Sequence, residues 1–139
     1  MEVMANDVQT IEANNSILFQ TALSSGSPSI IWRAGSGIIT LRGIGTQLRA
    51  RFKASYHANV AVTTGETVAP IKLAIRVSGE GIASSCAMST PAAVEEFNNV
   101  AASTLIDVPI GCCTQISLAN IGTTSVDVQN VSLTVERVA

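Results

Sequence analysis

The segment from Leu48 to Val62 alternates between apolar and polar side chains almost without interruption. One parity is apolar and consists of Leu48, Ala50, Phe52, Ala54, Tyr56, Ala58, Val60 and Val62. The other parity is mostly polar and consists of Arg49, Arg51, Lys53, Ser55, His57, Asn59 and Ala61. Successive side chains of a strand point to opposite faces of a sheet, whereas a helix, with a period of about 3.6 residues, would mix the two sets. The segment therefore predicts a long strand with one face on a core and one polar face.

Short apolar runs separated by turn residues continue through the chain from position 16 onward. Such punctuation is typical of antiparallel sandwiches and barrels. The predicted strands are residues 17–21, 30–33, 38–42, 48–62, 71–77, 82–89, 94–108, 115–119 and 126–135. A short helix is an alternative for residues 92–98. The sequence thus predicts an all-β protein, an antiparallel jelly-roll β-sandwich of about nine or ten strands with Greek-key connections.

The last predicted strand changes its apolar parity part-way along. Val126 and Val128 share one parity, and the apolar residues after them fall on the other, namely Val131, Leu133 and Val135. A β-bulge at Gln129–Asn130 would insert one residue and return the apolar side chains to the same face. Because the strand is mostly apolar, we expect it to lie centrally in a sheet, covered by its neighbours.

The first fifteen residues are polar and weakly patterned, which predicts an N-terminal arm or linker over residues 1–15 and a jelly-roll domain over residues 16–139. Residues 1–6 lack the positively charged start and the apolar stretch of a secretion signal. We therefore expect synthesis in the cytoplasm without a signal peptide. If the protein reaches the outside of a cell, release by lysis inside a particle would fit.

Charged residues make up 13% of the sequence, about half of the usual share of about 25%. A surface so poor in charge predicts subunit contacts, and hence a homo-oligomer. The net charge is −2 and no cluster of Lys or Arg occurs, so we expect no nucleic-acid partner. No stretch approaches the roughly 20 apolar residues of a membrane span, so we expect no membrane partner.

The three cysteines, Cys86, Cys112 and Cys113, are too few and odd in number for a disulfide scaffold. We expect reduced and mostly buried thiols. A zinc site needs four suitably spaced ligands, whereas this chain has one histidine, His57, and no CxxC pair. The sequence therefore predicts no metal ligand and no cofactor.

Catalytic constellations are also missing from the sequence. His57 is the only candidate base, and no G-x-S-x-G elbow accompanies it. Glu95 and Glu96 are adjacent, so on a strand they would point to opposite faces and could not flank one glycosidic bond. The remaining carboxylates near turns or on outward parities are interpreted as solvated: Glu80, Asp107, Asp127 and Glu136. The sequence predicts no catalytic residue and no enzyme.

Two features bear on ligand binding. The basic and titratable groups of the polar parity, Arg49, Arg51, Lys53 and His57, would either grip an acidic partner or a glycan, or form a solvated sheet face with acidic cross-strand neighbours. We favour the solvated face. Stacking of a sugar would need an aromatic ring, and the candidates are Trp32 and Tyr56, of which Tyr56 lies on the core parity.

Several segments resemble a known group of proteins. They are residues 33–43 (RAGSGIITLRG), residues 89–94 (STPAAV), and residues 106–113 (IDVPIGCC) followed by residues 128–131 (VQNV). Together they resemble small virion β-sandwich proteins encoded by phages and prophages of gut Firmicutes. Those proteins are similar to the usually trimeric jelly rolls of the tumour-necrosis-factor (TNF) and complement-head types. The resemblance extends over about residues 16–138 and contains no catalytic motif.

This resemblance implies a homotrimeric virion surface protein. One role is a capsid decoration protein bound to the major capsid protein or another virion protein. The alternative is a fibre tip that binds a host glycan. The short segment before the first predicted strand favours direct attachment to a shell through residues 1–15. The resemblance implies no particular binding residues.

Overall fold

The computed structural model describes residues 1–24 and 28–139, which form two antiparallel sheets packed face to face. A 3-10 helix of one turn, Ala83–Ser85, is the only helical element in these residues. The predicted all-β jelly-roll sandwich is confirmed. In chain order the strands are β1 (Glu2–Ala5), β2 (Gln9–Ile11), β3 (Thr21–Ser24), β4 (Ile30–Trp32), β5 (Ile39–Arg42), β6 (Arg49–Val62), β7 (Ile71–Val77), β8 (Glu80–Gly81), β9 (Ala87–Ser89), β10 (Asn98–Pro109), β11 (Cys113–Asn120) and β12 (Val126–Arg137).

Each sheet draws its strands from distant parts of the chain. The first sheet has the order β10-β6-β12-β1-β3, with β2 pairing the start of β12. The second sheet has the order β4-β5-β11-β7-β8, with β9 also pairing β7. From β5 onward the chain crosses repeatedly between the sheets, which is how a jelly roll brings distant strands together.

The core lies between the sheets and confirms the alternation that runs along β6. The side chains of Ala50, Phe52, Ala54, Ala58 and Val60 are fully buried, and Tyr56 is 3% exposed. Leu48, the first residue of the apolar parity, lies before the strand and is 90% exposed. The second sheet contributes facing side chains that are at most 1% exposed, including Ile39, Leu41, Leu73, Ile75, Ile116 and Leu118.

The predicted bulge in the last strand is confirmed. Gln129 pairs with Asn59 and Ser132 pairs with His57, so two residues of β12 stand opposite one of β6. Asn130, at the bulge, has a φ of 52°, a conformation that Asn tolerates better than most residues. The extra residue keeps both halves of the strand facing the core, and β12 is the central strand of its sheet, as expected.

The predicted N-terminal arm is wrong for much of its length. β1 lies inside the first sheet, where it pairs with β12 on one side and β3 on the other. Val3 and Ala5 are 0% and 2% exposed, and Ile11 in β2 is 6% exposed. The sequence does not predict this strand because β1 is only four residues long and its outward parity mixes Glu2 with the apolar Met4.

Three other expectations differ from the structure in detail. The predicted strand over residues 82–89 is divided by the 3-10 helix into β8 and β9. The predicted strand over residues 94–108 begins only at Asn98, and residues 92–98 are not helical. Residues 17–20 do not form a regular strand, although Ile17 and Phe19 are fully buried. The backbone of Ile17 bonds to β11, whereas that of Gln20 bonds to β1. The described residues therefore hold more and shorter strands than the nine or ten expected.

Candidate functional site

Two outward sheet faces are available for binding. The β6 face consists of the outward side chains of β10, β6, β12 and β1 in the first sheet. The β7 face consists of the outward side chains of β5, β11 and β7 in the second sheet. The fold places them on opposite sides of the sandwich, and their polar and charged groups differ.

One end of the β6 face carries a compact group of charges. Arg51 pairs with Asp107 across the strands, and its Nε donates to Asp107 Oδ1 at 2.8 Å. Arg49 Nη1 lies 3.3 Å from Asp107 Oδ2. The hydrogen bond from Arg51 holds the pKa of Asp107 below its ordinary value and raises the pKa of Arg51 itself. Lys53 stands opposite Glu136 of β12. The interpretation of a solvated face with acidic cross-strand neighbours is therefore confirmed for these cations.

On β10, β6 and β12 the middle of the β6 face has no Asp, Glu, Lys or Arg side chain. Three adjacent rows of cross-strand neighbours cover this region, and we call them the neutral rows. Most of their side chains are exposed or half-exposed. The rows are Asn99-Asn59-Gln129, Ala101-His57-Ser132-Met4 and Ser103-Ser55-Thr134. On β1 the last row is bordered by a carboxylate, because Glu2 pairs with Thr134. Leu105, on the border between the neutral rows and the charged end, is 58% exposed.

His57, the one candidate base of the sequence, is exposed in the middle row. Ser132 lies opposite it, and Glu2 is close to Ser132. The Ser132 hydroxyl donates to Glu2 Oε2 at 2.9 Å rather than to the imidazole. A serine nucleophile needs its proton taken by the histidine, so this geometry does not activate Ser132.

Two carboxylates make structural hydrogen bonds that the sequence does not predict, and one of them, Asp127, is buried rather than solvated. Asp127 is 7% exposed, and its Oδ1 accepts from Thr10 Oγ1 at 2.8 Å and from Thr63 Oγ1 at 2.9 Å. These bonds tie β2 and the end of β6 to β12. Glu95 lies in a turn, not on a strand, and its Oε1 accepts from the backbone N–H and hydroxyl of Thr64. Both carboxylates hold structure together.

The two aromatic candidates for sugar stacking both make hydrogen bonds within the protein. The Tyr56 hydroxyl oxygen lies 2.6 Å from the Ser85 carbonyl and 2.9 Å from the Leu73 carbonyl. Burial raises the pKa of this hydroxyl. Trp32 is half-buried against the core, and its Nε1–H donates to the Ser36 carbonyl at 2.9 Å. Tyr56 is therefore buried, whereas Trp32 keeps part of its surface exposed and lines a groove of about 310 Å³ with Ile38 and Thr40.

The cysteines are free, but the expectation that they are mostly buried is wrong. Cys86 is half-buried, whereas Cys112 and Cys113 are exposed at the turn from β10 into β11. Among residues 1–24 and 28–139, His, Cys, Asp and Glu side chains form no group of three that could hold a metal ion. In the same residues no helix has the length and apolar character to cross a membrane.

The β7 face contains a groove of about 560 Å³. Its lining comes from β5, β11 and β7 together with the segment before β3 and the turn after β7. Arg76 is the only charged residue among the described residues that line it: Ser16, Ile38, Thr40, Arg76, Ser78, Gly79, Cys113, Gln115, Ile116 and Ser117. The sequence analysis did not identify this group, because no local motif joins residues that distant strands bring together.

The fold is also found in solved structures. The globular domain of zebrafish complement 1qA superposes with a TM-score of 0.63 at 10% sequence identity, covering 96% of this chain and 93% of that one. This chain therefore has a jelly-roll fold of the C1q and TNF-like type. No family model matches the sequence, and no curated protein is detectably similar to it.

Two further solved structures are only distantly similar. The C-terminal domain of EclA, described as a sugar-binding protein, gives a TM-score of 0.43 at 13% identity, covering 94% of this chain and 79% of that one. A family 35 carbohydrate-binding module from Clostridium thermocellum gives 0.35 at 12% identity, covering 91% and 97%. TM-scores this low do not bear on the function of this chain.

Proposed function

We propose that this chain is a non-catalytic structural subunit that forms a homotrimer through the β6 face. The observation that carries the proposal is the part of that face on β10, β6 and β12 that has no Asp, Glu, Lys or Arg side chain, the neutral rows. They extend across the three strands β10, β6 and β12, which are the longest in the described residues. A sheet surface of this extent without fixed charge can lose its water at low electrostatic cost when a second copy packs on it.

Rotational symmetry explains why the absence of charge matters. Near a three-fold axis each side chain meets the same side chain of the neighbouring copies, so a charged residue there meets its own charge. Serine, alanine and asparagine side chains avoid that repulsion, and Ser and Asn can also donate and accept hydrogen bonds across the contact. The charged end of the face, with Arg49, Arg51 and Asp107, and the β1 edge with Glu2 would then lie away from the axis.

The β7 face is a poorer self-contact. Its charged outward side chains are all cations, Arg42, Lys72 and Arg76, and symmetric packing would bring like charges together. Such juxtaposition disfavours association. The charge distribution therefore favours the β6 face as the contact between subunits. The β7 face would then lie on the outside of the trimer.

The solution mass tests the oligomer directly. We expect light scattering to give a particle with three times the mass of one 14.4 kDa chain at micromolar concentration. The mass should change little with added salt, because the proposed contact contains few charges. A monomer throughout the micromolar range would contradict the proposed assembly.

The further proposal is that the trimer decorates a virion shell by binding the major capsid protein or another virion protein. The sequence resemblance to phage β-sandwich proteins and the C1q-like fold support this role. Because β1 is part of the first sheet, attachment by a free arm over residues 1–15 is not proposed; an exposed surface of the folded trimer would make the contact.

Co-sedimentation with capsids of the phage that encodes the chain tests this role. We expect the purified protein to travel with the capsids through a density gradient and to saturate at a fixed number of copies per particle. Protein that remains at the top of the gradient would contradict a shell role without affecting the trimer. In this proposal the protein is made in the host cytoplasm and resides on the virion.

A second candidate function is the binding of a host glycan. The groove on the β7 face favours it, because its volume of about 560 Å³ falls in the range of roughly 300–1,000 Å³ of small-molecule sites. Its lining combines hydroxyl and amide groups with an apolar side chain, Ile38, which is 46% exposed.

A further inference from the structure

The groove on the β7 face contains a single charged group. Arg76 lies on β7, directly opposite Ser117 of β11. Within the described residues no carboxylate forms an ion pair with Arg76, in contrast to Arg49 and Arg51 on the other sheet. The groove therefore presents one positive charge with no counter-charge in its lining.

The guanidinium of Arg76 is held in place by the backbone. Its Nη1 donates to the Asn14 carbonyl at 2.8 Å, and Asn14 is itself fixed by its N–H, which donates to the Asn120 carbonyl at 2.8 Å. Only part of the planar donor fork is used by this bond, since a guanidinium carries several N–H groups. Arg76 is thus oriented before any ligand arrives, which lowers the entropic cost of binding.

Uncommitted polar side chains stand beside this cation on neighbouring strands. Gln115 of β11 is in register with Thr40 of β5, and Ser117 is one outward position further along β11. Their side chains make no hydrogen bond with any residue in the described part of the chain, and the same holds for Ser16 and Ser78 at the rim. The groove therefore offers donors and acceptors that suit a ligand with several hydroxyl groups.

The charge of the groove selects among polar ligands. An arginine fork binds a planar carboxylate through parallel hydrogen bonds. A phosphate ester carries almost two negative charges and would be better matched by two or more cations, whereas this lining supplies one cation. The groove thus fits a ligand with a single negative charge and many hydroxyl groups.

We infer that the groove binds a carboxylate-bearing sugar, with Arg76 contacting the carboxylate and Thr40, Gln115 and Ser117 contacting the hydroxyl groups. This inference rests on the second candidate function, glycan binding by the β7 face, and does not require the trimer. Ile38 would pack against the C–H face of the ring in place of an aromatic side chain.

Calorimetric titration with galacturonate and, separately, with galactose tests the inference. We expect galacturonate to bind the unmodified protein at least tenfold more tightly than galactose, because charge-assisted hydrogen bonds to a carboxylate are stronger than neutral ones. Arg76→Gln should reduce the affinity for galacturonate about tenfold or more and leave that for galactose unchanged. Arg33→Gln serves as the matched control, since Arg33 is exposed and does not line the groove.

The outcomes separate the inference from the candidate function on which it rests. Equal affinity for galactose and galacturonate would overturn the role of Arg76 while leaving glycan binding in place. Equal loss of galacturonate binding in Arg76→Gln and Arg33→Gln would overturn the placement of the ligand in this groove. Absence of binding for both sugars at millimolar concentration, together with no hit on an array of acidic glycans, would overturn both.

Discussion

Replacement of Val3 by aspartate is expected to lower the free energy of unfolding by about 3–5 kcal/mol. Val3 is 0% exposed and belongs to β1, which is paired on both sides. The new carboxylate would lie in the core between the sheets, where it would either remain charged without a partner or become protonated at a cost. Urea denaturation followed by circular dichroism measures the change, with every variant at the same protein concentration because association shifts the apparent stability.

Val8→Asp is the matched control for this experiment. It makes the same substitution in the same N-terminal segment, but Val8 is 51% exposed. A surface change of this kind should alter the free energy of unfolding by no more than about 0.5 kcal/mol. If the two variants were equally stable, residues 1–15 would behave as the arm predicted from the sequence, and the position of β1 inside the sheet would be contradicted.

The fold class was predictable because the information lies within single strands. Along β6 every second side chain from Ala50 to Val60 is buried, and a period of two is visible in the sequence without knowledge of any partner strand. The bulge near Asn130 was predictable for the same reason, since one inserted residue is what keeps an apolar strand on the core when its parity changes.

Short strands were not predictable on this basis. β1 and β2 span four and three residues, which is too short for a period to stand out from chance. Their place in the sheet depends on β12, more than a hundred positions away, whose edge they cover. The burial of Asp127 was not predictable for a similar reason. Its hydrogen-bond partners Thr10 and Thr63 are distant in the sequence and come close only in the folded chain.

The candidate sites were predictable only in part. The alternation along β6 placed its cations on one outward face, where acidic cross-strand neighbours were expected. The pairing of Arg51 with Asp107 agrees with that expectation. The groove around Arg76 depends on the strand order β5-β11-β7, which the sequence does not specify. Likewise the neutral rows become a continuous surface only when β10, β6 and β12 are placed side by side.

Replacement of Ala101 by arginine is expected to convert the proposed trimer into monomers at micromolar concentration. Ala101 is exposed in the middle neutral row, directly opposite His57. Three symmetric copies of the new cation would meet one another or be buried without a partner, and like-charge contact at an interface costs several kcal/mol. The fold of each subunit should persist, because the side chain points away from the core. Light scattering gives the mass, and circular dichroism confirms the sheet content.

Ala93→Arg makes the same substitution at an exposed position in the turn before β10, outside the β6 face. We expect this variant to retain the mass of the unmodified protein, so that any loss of the trimer in Ala101→Arg is attributable to position rather than to added charge. A trimer that survives Ala101→Arg would exclude the neutral rows as the contact, because an arginine cannot be buried there three times without a measurable penalty in association.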